Sequence, residues 1–194
     1  MKTEAAARTL VGWQGLRFNL PPDWTVSALP ADSASGYLKV DSPASMFAQI
    51  RWQDGRASGQ NVTLWGLLAA SLRPTRQSRS GEQRTGLQSE VDAFLSKTAA
   101  GARKSKTRFD YRLRPVEQLP GKRTEQGFHW TGNGVGHGKA WRCDVCGRTV
   151  IAQVVGRARD PVREVAAELF GSFQCNPEDE WTTWAVYDLV AAAP

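Results

Sequence analysis

Apolar residues recur at every second position in two separate parts of this chain. In segments between and after those parts, they recur every three or four positions, as on one face of a helix. In Trp13 to Leu20, for example, Leu16, Phe18 and Leu20 alternate with small or polar residues. Strict alternation is typical of a half-buried β-strand. The same pattern predicts seven further strands: Trp24 to Leu29, Tyr37 to Val40, Phe47 to Trp52, Lys106 to Leu113, Thr124 to Thr131, Lys139 to Cys143 and Thr149 to Val155.

Three segments have the period of a helix instead. Apolar residues recur every three or four positions in Thr63 to Leu72 and in Leu87 to Thr98, and Gly101 is expected to end the second helix. Asp160-Pro161 predicts the N-cap and first residue of a third helix that ends near Gly171. Strands and helices therefore come in separate blocks, which favours the α+β class: an antiparallel β-sheet packed by about three helices.

The length of the chain favours one core. At 194 residues and 41% apolar residues, we predict a single α+β domain over residues 1–194, with a mobile basic loop near residues 73–85. No apolar run approaches the roughly 20 residues that span a bilayer, and Met1 to Ala5 lacks the apolar segment of a signal peptide. Three cysteines do not suit a secreted disulfide framework. We therefore predict a cytoplasmic protein.

A Cys-x-x-Cys-Gly-basic turn, Cys143 to Arg148, lies between two predicted strands. Such turns hold two thiolates on one face of a tight hairpin in zinc knuckles, and a closed zinc site needs four ligands. The other candidate ligands in the chain are Cys175 and two histidines, His129 and His137.

The strand pattern distinguishes the two histidines. If the flanking strands pair across a turn near Val135 or Gly136, His129 lies opposite Trp141 to Cys143, within about 5 to 8 Å. His137 lies six residues before Cys143, about 20 Å along an extended strand. The predicted structural zinc site therefore consists of Cys143, Cys146, Cys175 and His129.

Two other interpretations of the cysteines stay open. Free cysteines are commonly small buried apolar residues, and Gly147 could serve only the left-handed position of the hairpin turn. A redox dithiol is the second alternative, although redox Cys-x-x-Cys motifs lie at a helix N-terminus and this one is flanked by predicted strands. Three protein ligands with an open water site would permit hydrolytic zinc chemistry, but no general base suggests itself.

Positive charge is concentrated in the middle of the chain. The formal net charge is +6, which permits binding to nucleic acid or to an acidic protein. A nucleic-acid-binding accessory protein that uses this basic face is therefore the alternative function. Its candidate contacts are Arg73, Arg76, Arg79, Arg84, Arg103, Lys104, Lys106 and Arg108.

Known catalytic motifs are absent from the sequence. There is no nucleophile-elbow, phosphate-loop or His-Glu-x-x-His pattern. The glycine-rich segment Gly132 to Gly138 joins two predicted strands and opens no helix, so we interpret it as a flexible hairpin tip rather than a nucleotide-binding loop.

The segment Gly15 to Trp24 has a strand that ends in Pro-Pro-Asp-Trp, and Ser172-Phe173 follows the last predicted helix. These residues and the order of the elements resemble domains related to the photosystem II extrinsic protein PsbP. The resemblance implies a non-enzymatic binding, assembly or chaperone module, and hence a protein partner. The Cys-x-x-Cys turn is not part of that family pattern.

Overall fold

The computed structural model describes residues 9–13, 15–28, 35–53, 86–119 and 123–175, and the backbone of 182–186 and 189–193. These residues form two antiparallel sheets and two helices, which confirms the α+β class. The third expected helix, Thr63 to Leu72, and the basic loop 73–85 lie outside the described residues.

The described residues form twelve strands. They are β1 (Thr9–Trp13), β2 (Leu16–Leu20), β3 (Thr25–Ala28), β4 (Ser35–Asp41), β5 (Phe47–Gln53), β6 (Asp110–Leu119), β7 (Arg123–Thr131), β8 (Val135–Cys143), β9 (Thr149–Gly156), β10 (Gln174–Cys175), β11 (Thr182–Val186) and β12 (Leu189–Ala193). The helices are α1 (Gly86–Lys104), between β5 and β6, and α2 (Val162–Gly171), between β9 and β10.

The larger sheet has seven strands in the order β3-β4-β5-β9-β8-β7-β6, and the smaller has five in the order β10-β2-β1-β11-β12. The consecutive strands β6 to β9 form a meander of hairpins, which places β6 at an edge. Strand β2 pairs with β1 and β10, not with β3. The first predicted strand therefore belongs to a different sheet from those that follow it.

Both faces of the seven-stranded sheet are covered. On one face, α2 and strands β1 and β2 of the smaller sheet share a buried core with residues such as Ile50, Trp141 and Val154. On the other face, Leu87, Val91 and other residues of α1 pack against residues of β7, β8 and β9. Neighbouring residues of a strand point to opposite faces, so β8 and β9 must bury side chains in both directions.

Two glycines in β8 are required by this two-sided packing. A Cβ added at Gly136 would lie 2.3 Å from the Trp130 ring, and one added at Gly138 would lie 2.0 Å from the Phe128 ring. The rings of β7 thus lie across β8, and the Trp130 indole N–H donates a 2.9 Å hydrogen bond to Gln153 Oε1 on β9. Only Gly132 to Gly134 form the turn between β7 and β8. The interpretation of the whole glycine-rich segment as a hairpin tip is therefore wrong.

Both helices differ from expectation at one end. Helix α1 continues past Gly101 to Lys104, because Gly101 does not adopt the left-handed conformation in which glycine ends a helix. Helix α2 has Pro161 as its N-cap, and the Asp160 carboxylate instead accepts hydrogen bonds from Ser45 Oγ and the Arg157 N–H, both 2.7 Å. Neither of the helices in the described part of the chain is long and apolar enough to cross a membrane.

Strand β6 also differs from the prediction, since it continues through Pro115 to Leu119. Proline lacks an N–H and is tolerated on edge strands and at bulges. Both conditions are met at Pro115. Strand β6 is an edge strand, and its register shifts between Leu113 and Val116, as at a bulge.

We expect Gly138→Ala to destabilise the protein by about 1 to 3 kcal/mol, because the added methyl group overlaps the buried Phe128 ring. Gly101→Ala is the control, since a Cβ there meets nothing within 4 Å, and it should stabilise the protein by about 0.5 to 1 kcal/mol through helix propensity. Urea denaturation measures both. Equal effects of the two substitutions would contradict the ring placement.

Candidate metal centre

The cysteine turn forms the tight hairpin between β8 and β9. The Cys143 N–H donates to the Arg148 carbonyl at 2.9 Å, and the Gly147 N–H donates to the Cys143 carbonyl at 2.8 Å. Gly147 has a φ of 73°, a left-handed conformation that glycine adopts without steric cost. The predicted location and shape of this turn are therefore found in the structure, whereas a helix N-terminus, as the redox interpretation requires, is not.

The structure brings all three cysteines together. The sulfur atoms of Cys143, Cys146 and Cys175 lie within 4.8 Å of one another, and the Cys146 and Cys175 sulfurs are 3.1 Å apart. Cys175 lies on β10, where it pairs with Leu16 of β2 in the smaller sheet. The cluster therefore joins the hairpin end of the larger sheet to an edge of the smaller one.

The thiols of the cluster differ in their tendency to ionise. Burial acts to raise the pKa of Cys143, but the backbone N–H groups of Cys146 and Val145 and the neighbouring thiols outweigh it, so this pKa is below its usual value. Burial raises the pKa of Cys175 strongly, and the Cys146 and Cys143 sulfurs raise it further. Of these two thiols, Cys143 is the more readily present as a thiolate, and Cys175 needs a nearby cation to ionise.

Arg148 supplies positive charge beside the cluster. It lowers the pKa of Cys175, although less than burial and the other thiols raise it. Its guanidinium lies over the turn between β1 and β2, with Nη1 3.1 Å from the position of a Cβ at Gly15. Gly15 has a φ of 75°. The arginine therefore makes a second link between the cysteine turn and the smaller sheet.

The donor set fits a thiophilic metal ion such as zinc, for which the three thiols would supply three of the four ligands. Zinc thiolate bonds of about 2.3 Å in a tetrahedron separate the sulfurs by roughly 3.8 Å, which agrees with sulfurs that lie within 4.8 Å of one another. Backbone N–H groups that point at the Cys143 sulfur would also stabilise a bound thiolate. Within the residues that the structure describes, this is the only group of three or more potential ligands.

His129 is not part of the cluster, which corrects the predicted ligand set. The turn between β7 and β8 is centred on Asn133, so Arg123, not His129, is the cross-strand partner of Cys143. Six residues separate His129 from Arg123, about 20 Å along the strand. His129 instead pairs with His137, and their stacked rings have centroids 5.7 Å apart.

The predicted nucleic-acid contacts lie elsewhere in the molecule. Arg103 and Lys104 are in the last turn of α1, and Lys106 and Arg108 follow it, all exposed. Arg108 forms a 2.7 Å ion pair with Asp110. The other four candidates, Arg73, Arg76, Arg79 and Arg84, lie outside the described residues.

Sequence reasoning missed Arg148 as a second link and the pairing of the two histidines. Arg148 is the basic residue of the cysteine motif itself. The histidine pair has a sequence signal too, because His129 and His137 are equally far from Asn133 in the Gly-Asn-Gly turn.

Comparison with known proteins identifies the fold. Neither protein-family models nor curated protein sequences gave a match. The structure is similar to the solution structure of cyanobacterial PsbP (CyanoP) from Synechocystis sp. PCC 6803, with a TM-score of 0.55 and 10% sequence identity. The similarity covers 90% of this chain and 96% of that one. The chain therefore has a PsbP-like fold, as the sequence resemblance implied.

We expect the stability of the protein to fall as the pH is lowered from about 7 through the range in which an unfolded histidine takes up its proton. Burial, His129, Arg163 and Arg114 lower the pKa of His137, against a weaker opposing effect of Glu164. The unfolded chain, with a histidine pKa of about 6.5, binds more protons in this window. Stability is therefore lost as pH falls through 6.5 toward the folded pKa.

Urea midpoints across this range measure the effect. His137→Asn should flatten the dependence, because it removes the group whose protonation differs between the folded and unfolded states. An unchanged slope in this variant would contradict the assignment.

Proposed function

We propose that this chain is a non-enzymatic protein-binding module with a PsbP-like fold, in which a zinc ion at Cys143, Cys146 and Cys175 ties the two sheets together. The proposed zinc ion is supported by one observation: three sulfurs from two sheets lie within 4.8 Å of one another. The resemblance to the PsbP family supports the binding part.

The position of the cluster favours a structural role. Cys143 is 8% exposed, and its cross-strand neighbour is a cation, Arg123. A second cation, Arg148, acts on Cys175. Arg148 offsets part of the charge of a Cys175 thiolate, whereas Arg123 is paired with Glu125, and neither arginine is suited to accept a proton from water. The three sulfurs also need a cation to be ionised together, and a metal ion supplies it.

A metal ion at this position would stabilise a weakly held part of the fold. Strand β10 has two residues and pairs only with β2 among the described strands. Such a short edge strand contributes few hydrogen bonds. A metal ion bound to Cys175 would hold it to the hairpin of the larger sheet, and the binding free energy would add to folding free energy.

We expect the purified protein to contain about one zinc ion per chain, and Cys175→Ser to lose the ion. The melting temperature should fall by roughly 10 °C, which corresponds to a loss of about 3 kcal/mol in a domain of this size. Elemental analysis and thermal denaturation measure the two effects.

Val145→Ala is the matched control, because Val145 lies in the same turn, is 60% exposed and offers no ligand atom. It should retain the metal and the stability. A metal-free wild-type protein whose stability is unchanged by Cys175→Ser would show that the thiols are inert. A Cys143→Ser variant that keeps its fold but loses a turnover activity would support catalysis instead.

The exposed cations at the end of α1 favour nucleic-acid binding as the second candidate function. Arg103, Lys104 and Lys106 have no carboxylate within ion-pair distance among the described residues. Cations at a helix C-terminus also stabilise the helix through its dipole, so their presence alone does not require a nucleic acid.

Filter binding against salt tests this candidate. Phosphate contacts would make the affinity fall steeply with salt, and removing Arg103 and Lys104 together would reduce the slope by about 2. The absence of binding at about 50 mM salt would exclude the nucleic-acid function.

A further inference from the structure

The two histidines of the chain face each other on the outer strands of the larger sheet. His129 on β7 and His137 on β8 are direct cross-strand partners, and their rings stack at 5.7 Å with an angle of 19°. Both are half-buried, and both lie on the sheet face that carries Trp141 and α2. They are the only histidines in the sequence.

Arginines of the edge strand adjoin this pair. Arg112 on β6 is the cross-strand partner of His129, so their side chains share a face. The Arg114 side chain lies over β7, with its Cδ 3.0 Å from the position of a Cβ at Gly127. Gly127 lies two residues before His129 on the same face, and its missing side chain makes room for this arginine.

Helix α2 adds a third arginine from the other side. Arg163 and Arg114 are both close enough to lower the pKa of His137, after the larger effects of burial and His129. Glu164 is the one carboxylate that acts on His137 in the opposite direction. We call the set of Arg112, Arg114, His129, His137 and Arg163 the histidine face.

The histidine face lacks the charge compensation found farther along the same strands. There, Glu125 pairs with Arg123 at 2.6 Å and with Lys139 at 2.7 Å. Among the described residues, no carboxylate lies within ion-pair distance of the three arginines of the histidine face. Three guanidinium groups and up to two imidazolium groups therefore face solvent together at a cost in electrostatic repulsion.

We propose that the histidine face is a docking surface for an acidic segment of a partner protein, with aspartate or glutamate carboxylates bound by Arg112, Arg114 and Arg163. Charge complementarity carries the inference, since a carboxylate accepts two parallel hydrogen bonds from a guanidinium group. The inference rests on the proposed role as a protein-binding module, and it does not depend on the metal.

The borders of the surface favour a short acidic segment over nucleic acid. Glu125 and its cross-strand partner Glu117 lie about 13 Å from His129 along the strands, and Glu164 lies on the helix side. A nucleic-acid backbone usually makes many phosphate contacts along a continuous basic stripe. Here it would meet carboxylates at both borders.

The histidines make the docking dependent on pH. The charged groups on this face are Arg112, Arg114 and Asp110 from β6, Lys139 from β8, Glu125 from β7, and Arg163 and Glu164 from α2; Asp110 is paired with Arg108. Protonation adds positive charge to the surface, so a carboxylate partner binds more tightly at lower pH. By linkage, a bound partner raises the pKa of both imidazoles.

Fluorescence anisotropy with a labelled oligo-glutamate peptide tests the proposal on the full chain at low salt. Arg112→Gln and Arg163→Gln should each weaken binding by about fivefold. Arg103→Gln is the matched control, because this arginine is exposed and lies on α1, which packs against the opposite face of the sheet. Its affinity should stay within about twofold of the wild type.

The imidazole signals in a proton NMR titration give a second measurement. The peptide should shift the signals of both histidines and raise their pKa values. No binding at low salt would overturn the proposal, as would equal weakening by Arg103→Gln. It would also be overturned if only a single-stranded oligonucleotide or inorganic phosphate moved these signals.

Zinc content and melting temperature of the same samples separate the two proposals. Zinc-loaded protein that does not bind the peptide would refute the docking surface alone. Metal-free protein that binds the peptide through Arg112 and Arg163 would refute the metal tie and leave the docking surface intact.

Discussion

The burial of both faces of the seven-stranded sheet is the constraint on which the rest of the structure depends. Strand β9 lies inside the sheet and buries residues toward α1 as well as toward α2. Its neighbour β8 can do the same only because Gly136 and Gly138 leave room for the rings of β7. The rings then reach Gln153, whose amide continues the hydrogen-bond chain to Gln49 on β5. This chain joins strands that enter the sheet from distant parts of the sequence.

The cysteine cluster lies where this sheet meets the smaller one, and its electrostatics explain why a cation suits it. Backbone N–H groups lower the pKa of Cys143, whereas burial and the adjacent sulfurs raise the pKa of Cys175. A hairpin turn alone would hold only the first two cysteines, and a disulfide would use only two of the three. A metal ion uses all three sulfurs and offsets the repulsion between their charges. That combination favours a metal tie over inert thiols.

Sequence periodicity identified most elements but could not determine how they pair. The strands β7 and β9, the cysteine turn and the end of helix α2 lie where alternation and glycine place them, whereas β8 begins four residues before the predicted Lys139. Alternation fixes which residues share a face, yet register depends on the residue at the centre of the turn. Moving the centre of the turn by one residue moves every cross-strand partner by two positions. A turn centred on Gly136 would pair Cys143 with His129, whereas the actual turn, centred on Asn133, pairs Cys143 with Arg123. Nor does a local pattern show that β2 and β3 belong to different sheets, or that glycines serve ring packing inside a strand.

The two ends of one sheet face differ in charge balance, and this difference separates their roles. Near the cysteines, Arg123 and Lys139 share Glu125, so the fixed charges of the strands are already paired. At the far end, the arginines around His129 and His137 lack such a carboxylate among the described residues. Charges that are paired within a fold stabilise it, whereas charges of one sign held together on a surface stabilise a complex with the opposite sign. The register of β6, β7 and β8 sets the second group independently of the proposed metal ion, so loss of that ion should weaken the fold before it alters the charge of the proposed docking surface.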